Sequence, residues 1–335
     1  MSGPSRVLVT GGSGFLGGEI CRQLVSRGTE TVSLSRRPSP ALDRLGVRQH
    51  RGDLADRDAV ARAVAGCDAV VHNAALAGVS GPAGPYWATN VLGTRHVVEQ
   101  CRAQGVPTLV YTSTASVVFR PGGLAGVDET APYPTRHLAA YPRTKATAEA
   151  LVLAADGPEL ATVSLRPHLI WGPGDPHLLP ALARAVRGGR LLMPGSGANL
   201  IDTTHVRTAA HAHLLALDLL HRRHPVGGRA YFVTQGEPAP LRTVAALLLR
   251  AAGHRVEWFA VPPPVVHAAA AAAELAARLL RATSTHGPSR FLVHELVHPH
   301  WFDITAARRD LGFTPPISLT EGMSRLMADD GGPAG

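Results

Sequence analysis

The chain has 335 residues, 45% of them hydrophobic and 17% charged, which suits one large core with a smaller appended lobe and excludes disordered and fibrous classes. Its 33 basic residues against 25 acidic ones leave a net charge of +8, yet they stand singly instead of forming the runs that track a phosphate backbone, so no nucleic-acid partner is expected. Cys21, Cys67 and Cys101 lie far apart without Cys-x-x-Cys spacing, which argues against a disulfide framework or a zinc knuckle and fits a cytoplasmic setting.

A strand-like run begins at Arg6, leaving no room for a basic segment plus an apolar signal core. No uncharged run reaches the roughly 18 residues that span a bilayer, so a protein without stable membrane insertion is expected. Short β-branched runs predict strands from Arg6 to Thr10, Thr31 to Ser35, Val47 to Arg51, Ala69 to His72, Thr108 to Ser113 and Ala161 to Arg166. Between them, amphipathic stretches predict helices from Phe15 to Arg27, Asp56 to Ala65, Tyr86 to Gln104 and Tyr141 to Ala155. The alternation, with strands apolar on both faces, reads as an α/β, Rossmann-type doubly wound parallel sheet over residues 1–166. Pro167, Pro173, Pro176 and Pro180 then change the rhythm. Residues 167–330 are expected to form a smaller, discontinuous substrate lobe with some segments returning to the Rossmann domain. Its helices are predicted from Val206 to His221 and from Pro264 to Arg281. In the latter, His267 is the only polar residue between Val265 and Ala273, and about twelve apolar residues suit a helix packed on the lobe better than a span. The Gly-Gly-Pro-Ala-Gly tail is expected to fray.

The first strand leads directly into Thr10-Gly11-Gly12-Ser13-Gly14-Phe15-Leu16-Gly17. Gly11 permits the turn, Gly14 lets the backbone approach a pyrophosphate, and Gly17 lets the helix close on the sheet, with the diphosphate at the N–H groups of Phe15 and Leu16. The second strand ends in Ser35-Arg36-Arg37 with no carboxylate, which favours the 2′-phosphate of NADP(H) over the free ribose of NAD(H). Asp53 and Leu54 are placed to meet the adenine, and Asn73, Ala74 and Ala75 end the fourth strand with small residues that leave room for the cofactor.

Tyr141 and Lys145 stand four apart, so on a helix they share one face. Lys145 is also the only lysine among the 33 basic residues. A chain that uses arginine everywhere else keeps an ammonium where a forked guanidinium fits badly, beside a phenol and a ribose. An adjacent positive charge brings the tyrosine closer to proton exchange. Thr112, Ser113, Thr114 and Ser116 end the fifth strand with hydroxyls, one of which is expected on the substrate oxygen.

Together, Thr10 to Gly17 and Tyr141 to Lys145 resemble the motifs of the extended short-chain dehydrogenases/reductases. Asn90 to Thr94, Leu165-Arg166-Pro167, Trp171 to Gly174, Asp202 to Val206, Phe302 to Ile304 and Asp310 to Phe313 carry the resemblance to the 3β-hydroxysteroid dehydrogenase branch. Within it, Leu169 to Leu179, Gly195 to Asp202 and Arg290 to Phe302 are similar to the 2-alkyl-3-oxoalkanoate reductases of olefin biosynthesis. The resemblance implies Thr114 as the catalytic hydroxyl, Tyr141 as proton donor, Lys145 as its partner and Asn90 as the residue that holds the site or a water relay. It also implies contacts of Thr112 and Pro167 with the cofactor, a homodimer paired through the helices around Tyr86 to Gln104 and Tyr141 to Ala155, and reduction of a hydrophobic ketone by NADPH. Arg207 stands where relatives carry Asp, so no role transfers there.

Two other readings remain open. Much of the extended family acts on sugar nucleotides as epimerases or dehydratases, but dehydratases place an Asp-Glu pair beside the catalytic hydroxyl, where this chain has Ala115 and Ser116. A non-catalytic dinucleotide sensor on the same fold is the other. His211, His213, His294, His298 and His300 lack a supporting acidic or Cys cluster, apart from Glu295, so no metal is expected.

Overall fold

The computed structural model describes residues 3–78, 81–279 and 289–329. Seven parallel strands form the main sheet: β1 (Arg6–Thr10), β2 (Glu30–Ser35), β3 (Arg48–Arg51), β4 (Ala69–His72), β5 (Thr108–Thr112), β6 (Ala161–Pro167) and β7 (Arg229–Val233). Their spatial order is β7-β6-β5-β4-β1-β2-β3, so the order reverses between β1 and β4, where a Rossmann sheet opens its binding crevice. Helices α1 (Phe15–Ser26), α2 (Arg57–Val64), α3 (Gly93–Ala103), α4 (Ala140–Leu153) and α5 (Val206–His221) cover the two faces. One core gathers Val7, Val9, Ile20, Leu24, Val163 and Leu217; the other gathers Leu8, Val60, Val97, Leu109, Tyr111 and Val152. Adjacent β1 residues alternate between the two, as a strand buried on both faces requires.

The predicted strands of the first half form, as do three of its four predicted helices, with ends displaced by no more than two residues. One feature differs from expectation. The stretch from Tyr86 to Gln104 is not one helix: a π-helical segment, Trp87–Leu92, separates a short turn at Ala83–Tyr86 from α3. The seventh strand, β7, comes from the second half of the chain and pairs with β6 from Arg229↔Val163 to Val233↔Pro167. The alanine-rich helix α6 (Pro263–Leu279) packs against the helix Arg290–Val297 and is exposed along much of its length. Ala270 is covered, but Val265 and Leu275 are 59% and 58% exposed. Arg281 and the C-terminal Gly-Gly-Pro-Ala-Gly segment lie outside the described residues.

The rest of the chain caps the carboxyl ends of the sheet. A three-stranded sheet (Glu257–Val261, Arg190–Pro194, Val186–Arg187) and a four-stranded one (Ala239–Pro240, Leu200–Ile201, His300–Phe302, Leu124–Val127) frame a third core built on Trp171, Leu191, Met193, Leu241 and Leu248. Leu191 and Met193 belong to this core, while Leu192 between them is 39% exposed. Helix α7 (Arg290–Val297) leads into the strand His300–Phe302.

Candidate active site

The glycine loop has the geometry that its sequence predicts. Gly11 has φ 71°, and a Cβ there would come within 2.9 Å of the Ala74 Cα, so only glycine lets the β1 and β4 ends lie side by side. A Cβ on Gly17 would collide with the Gly11 carbonyl oxygen. Gly14 caps α1 with no side-chain hydrogen bond, so among the described residues no side chain claims the N–H groups of Phe15, Leu16 and Gly17, which favours an anion at this helix end. The Ser35 hydroxyl accepts from the Ser13 N–H at 3.2 Å, which ties the β2 end to the loop. Arg36 and Arg37 follow it, both exposed and neither in an ion pair among the described residues. Asp53 turns its carboxylate onto the Ala55 N–H at 3.0 Å, the Leu54 side chain is buried under Gly93, and the Leu54 carbonyl bonds the His96 ring at 2.9 Å. These residues fit a dinucleotide.

A hydrogen-bond chain beneath the loop was not foreseen in the sequence. The Ala74 N–H donates to the Thr10 hydroxyl at 3.0 Å, Thr10 bonds His72 Nδ1 at 2.8 Å, His72 Nε2 bonds Thr94 at 2.9 Å, and Thr94 donates to the Asn90 carbonyl at 2.6 Å. Because Thr94 spends its proton on that carbonyl, the His72 proton is on Nε2 and Nδ1 accepts from Thr10. Burial, with Lys145 adding to it, lowers the His72 pKa to about 3, so the ring stays neutral. Asn90 lies in the π-helical segment. Its side chain accepts from the Leu76 N–H at 2.7 Å and donates to the Leu76 carbonyl at 3.0 Å and to Thr144 at 3.1 Å. Asn90 thus fastens the loop after β4 to the helix that carries Tyr141, and its side chain bonds neither Tyr141 nor Lys145.

Tyr141, Lys145 and Glu149 form a ladder on one face of α4. The Thr114 hydroxyl, at the start of a 3-10 turn (Ala115–Val118), bonds the Ser116 hydroxyl at 3.0 Å and accepts from the Ser116 N–H at 3.3 Å. Burial pushes the Tyr141 pKa up to about 12, with the nearby Thr114 hydroxyl opposing it and Glu295 and Tyr86 adding to it. Lys145 is 2% exposed. Its Nζ donates to the Thr112 carbonyl at 2.6 Å and sits 4.2 Å from the centre of the Tyr111 ring. Burial lowers its pKa to about 7 against the pull of Glu149. The Thr112 hydroxyl faces away from the crevice and bonds His213 Nε2 at 2.7 Å, while His213 Nδ1 bonds the Ala209 carbonyl at 2.7 Å. Thr112 therefore reaches the site through its carbonyl, and His213 anchors it from α5. Pro167 ends β6 in a buried position.

Glu149, fully buried, holds Arg166 in an ion pair of 2.7 Å and accepts from Ser164 at 2.7 Å and from Tyr133 at 2.6 Å. Burial acts to raise its pKa, but the Arg166 guanidinium and these bonds hold it below the usual carboxylate value. The only sequence signal for Glu149 was its place four residues beyond Lys145; Tyr133 carried none. Among the described residues no group of three metal-ligating side chains forms.

Residues 8–261 match the 3-beta hydroxysteroid dehydrogenase/isomerase family. Over 326 residues, 96% of this chain and 98% of the relative, the sequence is 46% identical to a 2-alkyl-3-oxoalkanoate reductase of Stenotrophomonas maltophilia. It is 32% identical to the human decarboxylating sterol-4-alpha-carboxylate 3-dehydrogenase over 96% of this chain and 87% of that one. Among solved structures, a Thermus thermophilus UDP-glucose 4-epimerase in complex with NAD superposes with a TM-score of 0.73 at 27% identity, covering 97% of this chain and 98% of the other. The chain belongs to the 3-beta hydroxysteroid dehydrogenase/isomerase family and is an NAD(P)-dependent oxidoreductase.

Proposed function

We propose that this protein is an NADPH-dependent reductase of a hydrophobic β-oxo acid or steroid-like ketone. The observation that carries the reading is the meeting of Tyr141, Thr114 and the buried Lys145 beside the glycine loop. The N–H groups of Gly14 to Gly17 would hold the diphosphate, Ser35, Arg36 and Arg37 the 2′-phosphate, Asp53 and Leu54 the adenine, and Lys145 the ribose. Asn73, Ala74, Ala75, Thr112 and Pro167 would flank the remainder. A bound reduced nicotinamide supplies hydride to the carbonyl carbon. Tyr141, kept protonated by its burial, gives its phenolic proton to the carbonyl oxygen as charge develops there, and Thr114 holds that oxygen with a second hydrogen bond. The Lys145 charge makes the phenol a better donor by stabilising the phenolate it leaves.

The names of the two curated relatives support an oxo acid, since each places a carboxylate near the reacting carbon: 3-oxoalkanoate, and 4-carboxylate with 3-dehydrogenase. Structural likeness to a sugar-nucleotide epimerase is likeness of fold, which does not carry substrate. The test follows nicotinamide absorbance with a 2-alkyl-3-oxo acid, a 3-ketosteroid and a nucleotide-linked 4-keto sugar. Turnover of a lipid ketone is expected, reduced about 10²- to 10⁴-fold by Tyr141→Phe. Replacing Arg36 and Arg37 together by alanine is expected to raise KM for NADPH about 10- to 100-fold and to spare NADH. Turnover of the sugar alone, or a Tyr141→Phe enzyme of full activity, overturns the reading.

A further inference from the structure

Helices α1 and α5 pack against each other, and where they meet the C-terminal part of the chain they leave a cavity of about 290 Å³. Arg22 lies on its α1 wall, Arg207 and His211 stand one turn apart on its α5 wall, and Arg325 of α8 (Leu319–Asp329) completes the lining beside Pro316 and Ile317. The cavity is separate from the glycine loop, since Arg22 stands two turns into α1, roughly 10 Å along the helix from Phe15. Positive charge here exceeds what its neighbours neutralise. The Glu19 carboxylate accepts from Arg22 Nε at 2.7 Å and from the Gln23 amide at 2.7 Å, and Arg207 Nε remains 4.0 Å from it. The Arg207 guanidinium makes no hydrogen bond among the described residues. It extends from the second residue of α5, where the positive helix end opposes a cation and favours an anion. Arg325 pairs with Glu321, one turn back on its own helix, and an exposed pair of that kind holds a guanidinium weakly. All three arginines are half-buried, so solvent reaches their forks.

We propose that this cavity binds a phosphate dianion, free or carried by a small organic molecule, whose oxygens bridge Arg22, Arg207 and Arg325. A tetrahedral dianion offers oxygens to three walls at once, whereas a planar carboxylate engages one guanidinium fork. The start of α5 adds its dipole in the same sense, and His211 contributes a ring nitrogen. Pro316 and Ile317 form an apolar wall on which the organic part of a phosphomonoester would rest. The bridge has a structural consequence. Met323 and Leu326 of α8 belong to the third core, while Arg22 and Arg207 stand on helices that cover the main sheet. A ligand held by all three arginines therefore ties the capping segments to the sheet, at a place that neither the dinucleotide nor the ketone of the proposed reduction touches.

Calorimetric titration at constant ionic strength and about pH 8, where phosphate is doubly charged, tests this with inorganic phosphate and glycerol 3-phosphate as probes. The glycine loop and Arg36–Arg37 offer phosphate a second place, so the titrations include Arg36→Ala/Arg37→Ala protein saturated with NADH, which fills the loop and lacks the 2′-phosphate contacts. That protein is expected to bind one equivalent of phosphate. Arg207→Gln and Arg325→Gln are each expected to weaken binding about tenfold or more. Arg222→Gln removes the same charge from an exposed position beyond the far end of α5, and is expected to change binding by no more than about twofold. Saturating phosphate should raise the unfolding temperature of the wild type and leave that of Arg207→Gln/Arg325→Gln where it was. Tighter binding of glycerol 3-phosphate supports an organic phosphate on Pro316 and Ile317, and equal binding of the two probes supports free phosphate. Equal binding by wild type, Arg207→Gln and Arg325→Gln, a weakening that Arg222→Gln reproduces, or no phosphate bound by the NADH-saturated variant overturns the proposal and leaves the reductase reading standing.

Discussion

Lys145 shows how one residue can be bound to function at the expense of the fold. Its ammonium is buried with a single carbonyl acceptor and a ring face, and its pKa drops from 10.5 to about 7. Between those two values the unfolded chain binds a proton that the folded chain does not, so this residue's contribution to stability rises with pH across that window. Below pH 7 the ammonium is charged in both states and its burial costs most. Lys145→Met is therefore expected to stabilise the cofactor-free protein by about 1–3 kcal/mol at pH 7, read by denaturant unfolding, while reduction collapses. A methionine variant no more stable than its parent would mean that Thr112 and Tyr111 already offset the burial. The sequence marked this position through the absence of every other lysine, whereas the carbonyl that holds it emerged only from the packing of α4 on β5.

At the scale of elements, α4 is fixed to the sheet from two sides. Asn90 grips it through Thr144, and Glu149 grips β6 through Arg166 and Ser164. Both partners of the ion pair are nearly inaccessible, at 4% and 0% exposure, so losing one charge strands the other without water. Glu149→Gln is expected to cost about 3–5 kcal/mol of unfolding free energy, and a loss below about 1 kcal/mol would mean that water or Tyr133 takes over the Arg166 charge. The helix from Tyr141 was readable because its ladder repeats every four residues. The π-helical segment before α3 was not, since Trp87 to Leu92 carry the same apolar periodicity as an ordinary helix. The extra residue per turn becomes visible only once Asn90 is seen to serve the Leu76 backbone and Thr144 together.

Across the whole molecule, buried neutral histidines connect the sheet to the segments that cap it. His168, after β6, bonds His300 of the four-stranded sheet at 2.6 Å, and His213 joins α5 to β5. Burial lowers His72 to about 3 and His205, His213 and His300 to about 4, and pushes His168 well down. These folded values lie below the ordinary 6.5, so the stability they carry is present above pH 6.5 and is lost as the pH falls toward 4. Unfolding free energy is expected to drop by several kcal/mol between pH 6.5 and 4, as measured by denaturant titration at each pH. A flat profile over that range would show that these rings accept protons without opening the structure. The outer face of α6, with Val265 and Leu275 exposed, departs most from a reading of the sequence by composition, because an alanine run has the same helix propensity whether or not another element covers it.

What the sequence determined by itself was local: the glycine turn, the parallel strands buried on both faces, the Tyr141–Lys145 pair and the arginines after β2. Each depends on spacing within a few residues, where backbone sterics and helix periodicity act directly. Tertiary structure alone decided which distant groups meet. It set β7 beside β6, His213 against Thr112, and Arg166 against Glu149. Such contacts join residues tens to hundreds of positions apart, and no local propensity encodes them: they arise when the apolar faces of the sheet and its capping segments are buried together, carrying their polar groups into one recess.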